Sequence, residues 1–294
     1  MSIDVKIRQR LFGTKTLPLE IILGPQLAYG DYRNDCLEEN VLGDTEFVAY
    51  DPARIGRGFS VVWNAKEIRK VELRLLQPST KEELSAFYGA VRRVAEYWGG
   101  SLTVDGSKMR LSEFLSGFES AVAFNDRTLR ILVDKVLGGQ SDSLTLYAAK
   151  WPLVMGRQEA LAFSQDPACF GSWLNEKQSV SAIWSKLKIF AKDESYEGFY
   201  NCEAGHCYIF PQKPSPPFGI VDPKTGSPIR AEDIRWAVCL DDESDDGRFE
   251  LPYSTFLQRL PAGKQSYYDA NHFILESLTP EELREMTAEI QTNH

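Results

Sequence analysis

A chain of 294 residues that is 43% hydrophobic and 26% charged has the composition of a folded globular protein, long enough for one large or two medium domains. Its net charge of −9, with 42 acidic against 33 basic residues, argues against general attraction to phosphate backbones, because nucleic-acid affinity rests largely on counterion release by Lys and Arg. No apolar stretch approaches the length of a membrane span and the charged start MSIDVKIRQR does not read as a signal peptide, so a cytoplasmic protein without nucleic-acid or membrane partners is expected.

Strands come first. SIDVKIRQ alternates Ile3, Val5 and Ile7 with Asp4, Lys6 and Arg8, the period of a half-buried strand, and LEIIL, EFVAY, GFSVVW and KVELRLL read as further strands. Turns at Asp51-Pro52 and Gly56-Arg57-Gly58 separate them. A helix then opens at Thr80 with Glu83 at capping-box spacing, runs through SAFYGAVRRVAEYW, and stops at Gly99-Gly100. Its stripe of Leu84, Phe87, Val91, Val94, Ala95 and Trp98 is a core face.

Asp105-Gly106 inside SLTVDGSKMRL is the signal of a tight hairpin. Helices are expected at LSEFLSGFES and at NDRTLRILVDKVL, the latter capped by Asn125 or Asp126. A strand through LTLYAA leads to Trp151-Pro152, where the boundary between two α+β halves, 1–150 and 151–294, is placed. In the second half, short helices fit GRQEALAF and PACFGSWLNEKQ, and strands fit SKLKIFA, GFYNC, CYIF and WAVCL. PQKPSPPFG is a surface connector, GIVDPKTGSPI a hairpin, and SLTPEELREMTAEI a terminal helix capped by Thr279. A shared Ser-x-Phe-Leu pattern in RLSEFLSGF and YSTFLQRL hints at a duplicated strand-to-helix unit. The fold class expected is α+β, with mixed or mainly antiparallel sheets and packed helices.

Few residues invite chemistry. In FYNCEAGHCYIF, a hairpin around Glu203-Ala204-Gly205-His206 would set Cys202 opposite Cys207, and His206 and Cys239 would complete a Cys3His set for structural zinc. The spacing lacks the second Cys pair of a zinc knuckle, and five cysteines at irregular spacing do not form a disulfide framework, so core thiols are the competing reading. Asp242, Ser244 and Asp246 match the first half of a calcium loop, yet Tyr253 stands where the bidentate carboxylate belongs, and an acidic solvated turn competes. His272, one of three histidines, follows Asp269 by three residues, a distance at which a carboxylate orients an imidazole. Phosphate-binding glycine loops, zinc-protease and nucleophile-elbow motifs are missing, so no catalytic residue and no cofactor is assigned.

The Arg57-Gly58-Phe59 turn, VELRLLQPSTKEELSAFYGAVRRVA and the later IFPQKPSPPFG resemble a family of uncharacterised bacterial proteins of about this length, classed as a domain of unknown function. That resemblance implies a bacterial cytoplasmic origin and no activity. The functional expectation is a non-enzymatic protein-binding or regulatory module with a protein partner, using aromatics between Tyr208 and Phe218 as a binding rim. The alternative is a hydrolytic or metal-dependent enzyme built on the Cys/His set or on carboxylates.

Overall fold

The alternation at the N-terminus yields β1 (Ser2–Arg8), with Val5 and Ile7 fully buried and the charged residues on the opposite face. The computed structural model describes residues 1–10, 13–33, 35–63, 66, 69–192, 195–216, 219–241 and 248–288. The chain is α+β and divides into two units, Met1–Val180 and Ser181–His294.

In the first unit, α1 (Leu19–Leu23), β2 (Ala28–Arg33), β3 (Cys36–Glu39), β4 (Glu46–Tyr50), β5 (Phe59–Val62) and β6 (Lys70–Leu76) precede α2 (Lys81–Trp98). Then come β7 (Ser101–Val104), β8 (Ser107–Met109), α3 (Leu111–Ser116), α4 (Phe118–Leu137), β9 (Leu144–Leu146), β10 (Leu153–Met155), α5 (Arg157–Gln165) and α6 (Cys169–Gln178). Eight strands form one antiparallel sheet in the order β3-β2-β4-β5-β6-β1-β7-β8. The apolar stripe of α2 lies against it, with Leu84, Phe87, Val91 and Val94 fully buried among Ile7, Val61, Leu73 and Leu75. Thr80 and Glu83 form the expected capping box, and Gly99 ends the helix at φ 56°. Asp105 and Gly106 turn the β7–β8 hairpin with φ of 47° and 83°.

Three readings of this unit change. LEIIL is the helix α1, not a strand; a five-residue apolar run does not distinguish the two, and here Pro18 precedes the helix while Ile22 and Leu23 enter the core. Asn125 is not a cap, since α4 begins at Phe118 and runs through it. The boundary lies at residue 180 rather than 150. The intervening segment completes the first unit: β10 pairs with β9, Phe163, Phe170 and Trp173 pack together, and Gln178 reaches back to the 56 turn.

The second unit contains β11 (Ile183–Trp184), β12 (Lys188–Lys192), β13 (Ser195–Glu203), β14 (Tyr208–Pro211), β15 (Ile234–Asp241), β16 (Arg248–Pro252), α7 (Tyr253–Arg259), β17 (Gln265–Asp269), β18 (His272–Leu275) and α8 (Pro280–Thr287). Its strands make two four-stranded sheets, β11-β14-β18-β17 and β12-β13-β15-β16. Phe210, Val238, Leu251, Phe256 and Leu275 are fully buried in a common core with Leu283 and Met286 of α8. The capping box of Thr279 and Glu282 starts α8 as its sequence indicates. Although α3 and α7 both follow a strand, the two units arrange their sheets differently. Among the described residues no helix is long and apolar enough to cross a membrane.

Candidate functional site

The cysteine hairpin does not form. β13 is a central strand, bonded to β12 on one edge and to β15 on the other, so it has no free edge for β14. The chain leaves it through Ala204 and Gly205, whose N–H groups donate to Asp241 O and Leu278 O, and enters the other sheet, where β14 lies between β11 and β18. Cys202 is therefore opposite Leu240, not Cys207, and is buried at 1% exposure. Burial first, and the charge of Glu203 second, push its thiol up to about 12. Cys239 precedes Leu240 on β15 and points to the opposite face of that sheet from the Cys202 side. His206 packs edge-on to Tyr208 at 6.4 Å. Among the described residues no group of three or more His, Cys, Asp or Glu is placed to hold a metal ion, and no disulfide joins the cysteines. Asp242, Ser244 and Asp246 lie outside the described residues.

Asp269 and His272 do meet. Asp269 is fully buried at the turn between β17 and β18, and its Oδ1 accepts from the backbone N–H groups of Asn271 and His272, each at 2.9 Å. The same oxygen lies 2.8 Å from His272 Nδ1. A buried carboxylate at Nδ1 makes that nitrogen the donor and leaves Nε2 as the imidazole's remaining polar atom. The ring of Trp184 flanks it at 4.8 Å. The turn alone accounts for two of these three bonds, so the pair is first a hairpin brace and second an oriented imidazole.

The expected aromatic rim also moves. Tyr208 and Phe210 are buried at 4% and 0% exposure, because both edges of β14 are paired and these side chains enter the core; Phe218 lies outside the described residues. What lies beside the proline-rich connector is instead a groove of about 560 Å³. Its walls are Trp236, Tyr253, Leu257, Pro252 and Pro214, and Lys213 and Glu232 stand among its lining residues. β15 positions Trp236, which stacks on Tyr200 at 6.4 Å, while α7 supplies Tyr253 and Leu257. The indole N–H donates to Ala231 O at 3.0 Å, and the Tyr253 hydroxyl donates to Pro211 O. Burial raises the Tyr253 phenol above its ordinary range. Both aromatic residues thus have their polar atoms engaged within the fold; Tyr253, at 4% exposure, backs the groove from the core, and the partly buried Trp236 ring and Leu257 supply the apolar surface open to a guest.

Reading the sequence also missed the centre of the first unit. Arg57, at 8% exposure, donates from Nε to Tyr147 O at 2.8 Å and from Nη1 to Pro78 O at 3.0 Å. Burial lowers its guanidinium to about 10 against the opposing charge of Glu83. Glu83 accepts from Gly58 N at 2.7 Å and from Thr80 N at 3.0 Å, and burial raises its carboxyl. A Cβ at Gly56 would enter that carboxylate, which is why the turn has no side chain there. An arginine set between two glycines in an otherwise apolar stretch was the available signal.

A family model described as a domain of unknown function (DUF4299) matches residues 2–286. No curated protein and no solved structure matches the chain.

Proposed function

Because this chain belongs to the DUF4299 family, a domain of unknown function, we propose its role from its own geometry: a non-enzymatic protein-binding or regulatory module of the bacterial cytoplasm. The observation that carries this reading is the groove between Trp236, Tyr253 and Leu257. Enzyme pockets gather convergent polar groups around a reacting atom. This groove presents the Trp236 ring, Leu257 and prolines with Gln212, Lys213, Glu232 and Ser254 among its lining residues, and the polar atoms of its two aromatic residues point into the fold. Aromatic surfaces flanked by proline suit an extended, proline-containing apolar segment of a partner protein, whose stiff backbone loses little entropy on docking.

A peptide library displayed on phage and selected on the full chain tests this. Enriched peptides should share apolar and proline positions, and Leu257→Arg, a change at the partly buried rim, should abolish their binding while leaving the circular dichroism spectrum unchanged. Selection of no common motif, or binding that survives Leu257→Arg, rejects the groove as the site.

A second reading, a hydrolytic or metal-dependent enzyme, draws its support from the Asp269–His272 pair. Ester and phosphoester substrates, with and without added divalent metal, would be turned over by the native chain and lose turnover in His272→Gln. Hydrolysis unaffected by that substitution would exclude His272 as the base.

A further inference from the structure

The first unit has a concavity of its own, about 550 Å³ in volume, over the outer face of α2. Its charge is divided between two ends. At one end Arg54 and Glu82 pair at 3.6 Å, and Asp51 accepts the N–H of Ala53 at 2.9 Å, so the acidic groups there are already engaged. At the other end stand Arg92 and Arg93, neither of which has a carboxylate partner among the described residues. Arg93 is held in place by α1, whose last turn offers unpaired carbonyls. Its Nε donates to Ile21 O at 3.1 Å and an Nη to Ile22 O at 2.6 Å. Burial, and after it the neighbouring charge of Arg92, lower the Arg93 guanidinium below its usual range, as expected of two cations facing one space.

Between these ends an apolar patch shares the wall with Gln26 and Ser85. Tyr88 stacks on Phe114 at 4.2 Å and meets Phe118 edge-on at 5.2 Å, and Leu115 continues the surface. Gly89 keeps the floor open below the arginines, where an added Cβ would sit 3.2 Å from Arg93 Nη1. A concavity of this volume falls within the range of small-ligand sites.

We propose that this pocket binds a small amphipathic anion, its carboxylate or phosphate held between Arg92 and Arg93 and its apolar body lying on Tyr88, Leu115 and Phe118. The site is independent of the second unit's groove. In a protein of net charge −9, a pair of arginines without carboxylate partners among the described residues, set beside an apolar patch, selects for a ligand carrying both features.

Isothermal titration of the full chain with octanoate, phenyl phosphate, inorganic phosphate and 1-octanol provides the test. One of the two amphipathic anions, or both, binds saturably at one site, and the tighter of them identifies the head group. Inorganic phosphate and 1-octanol bind at least about tenfold more weakly, each lacking one half of the recognition. Arg92 is exposed and has no hydrogen bond or ion pair among the described residues, so Arg92→Ala retains the native circular dichroism spectrum and weakens the anion by about tenfold or more, the loss expected for a charge-assisted contact. Phe118→Ala weakens phenyl phosphate and octanoate but not inorganic phosphate. Absence of saturable binding by both amphipathic anions, equal binding of inorganic phosphate, or an affinity indifferent to Arg92→Ala overturns the proposal.

Discussion

Asn125 offers the sharpest test of how the first unit is held together. It lies inside α4 at 5% exposure, and its side chain satisfies both backbone groups of Ser79, itself 2% exposed: Oδ1 accepts Ser79 N at 2.6 Å, and Nδ2 donates to Ser79 O at 2.7 Å. Asn125→Ala removes both partners at once. An unpaired buried polar group costs roughly 1–3 kcal/mol, so two of them in the lower half of that range, about 1.5 kcal/mol each, make the loss about 3 kcal/mol. For a unit of this size each kcal/mol moves the melting temperature by roughly 2–4 °C, which places the expected fall at about 6–12 °C. Scanning calorimetry of the full chain is the assay, following the transition that shifts, since two units need not melt together. Asp126→Ala, on the exposed side of the same helix, is the control and should stay within about 0.5 kcal/mol. If Asn125→Ala shifts no more than this control, the Ser79 backbone has other partners and the reasoning fails.

Gly56→Ala would drive a methyl into the Glu83 carboxylate that holds Gly58 and Thr80, at a cost of about 1–3 kcal/mol read as a lower urea midpoint; an unchanged midpoint would mean that the turn has slack. With its thiol raised to about 12 by burial, Cys202 should be spared by an aromatic disulfide reagent at pH 8 in the native chain, and all five cysteines should react in denaturant. Mass mapping of the modified native protein would refute this if Cys202 were among the first to be labelled. Glu39 accepts from Lys150 Nζ at 2.8 Å, and that bond holds its carboxyl below its ordinary value of 4.5. The unfolded chain therefore takes up its proton first as pH falls, so the stabilisation is present above pH 4.5 and lost as pH drops through the folded value. Glu39→Gln should cost under about 1 kcal/mol at pH 7, the side chain being half exposed, and nothing once both carboxyls are protonated; an equal deficit at both pH values would contradict the linkage.

What was legible in the sequence was whatever is decided locally. The capping boxes at Thr80 and Thr279, the Asp105-Gly106 turn and the alternation of β1 and β6 depend on neighbours within a few residues, and all are found as read. Cys202 and Cys207 failed because pairing depends on which edges other strands have taken, and β15, more than thirty residues further along, occupies the edge that a hairpin would need. Asn125 failed for a related reason: its side chain has the chemistry of a cap, but its partner is Ser79, 46 residues earlier. The Asp269–His272 contact was visible because three residues and a turn suffice to make it. The grooves were not, since each is assembled from separate elements: β15 and α7 with the connector in one unit, α2 with α3 and the residues preceding β2 in the other.

Gln178 has a bearing on how the protein is made. Its fully buried amide accepts from Lys150 N at 2.8 Å and donates to Gly56 O at 2.5 Å, joining residues 122 apart at nearly the last position of the first unit. At roughly 5–20 residues per second, the ribosome delivers that partner about 6–24 s after the 56 turn. Within that interval the Ala149 N–H, which also donates to Gly56 O at 3.0 Å, is synthesised before Gln178. The two donors of the Gly56 carbonyl thus leave the ribosome in order, and the first unit gains its last long-range bond only with α6.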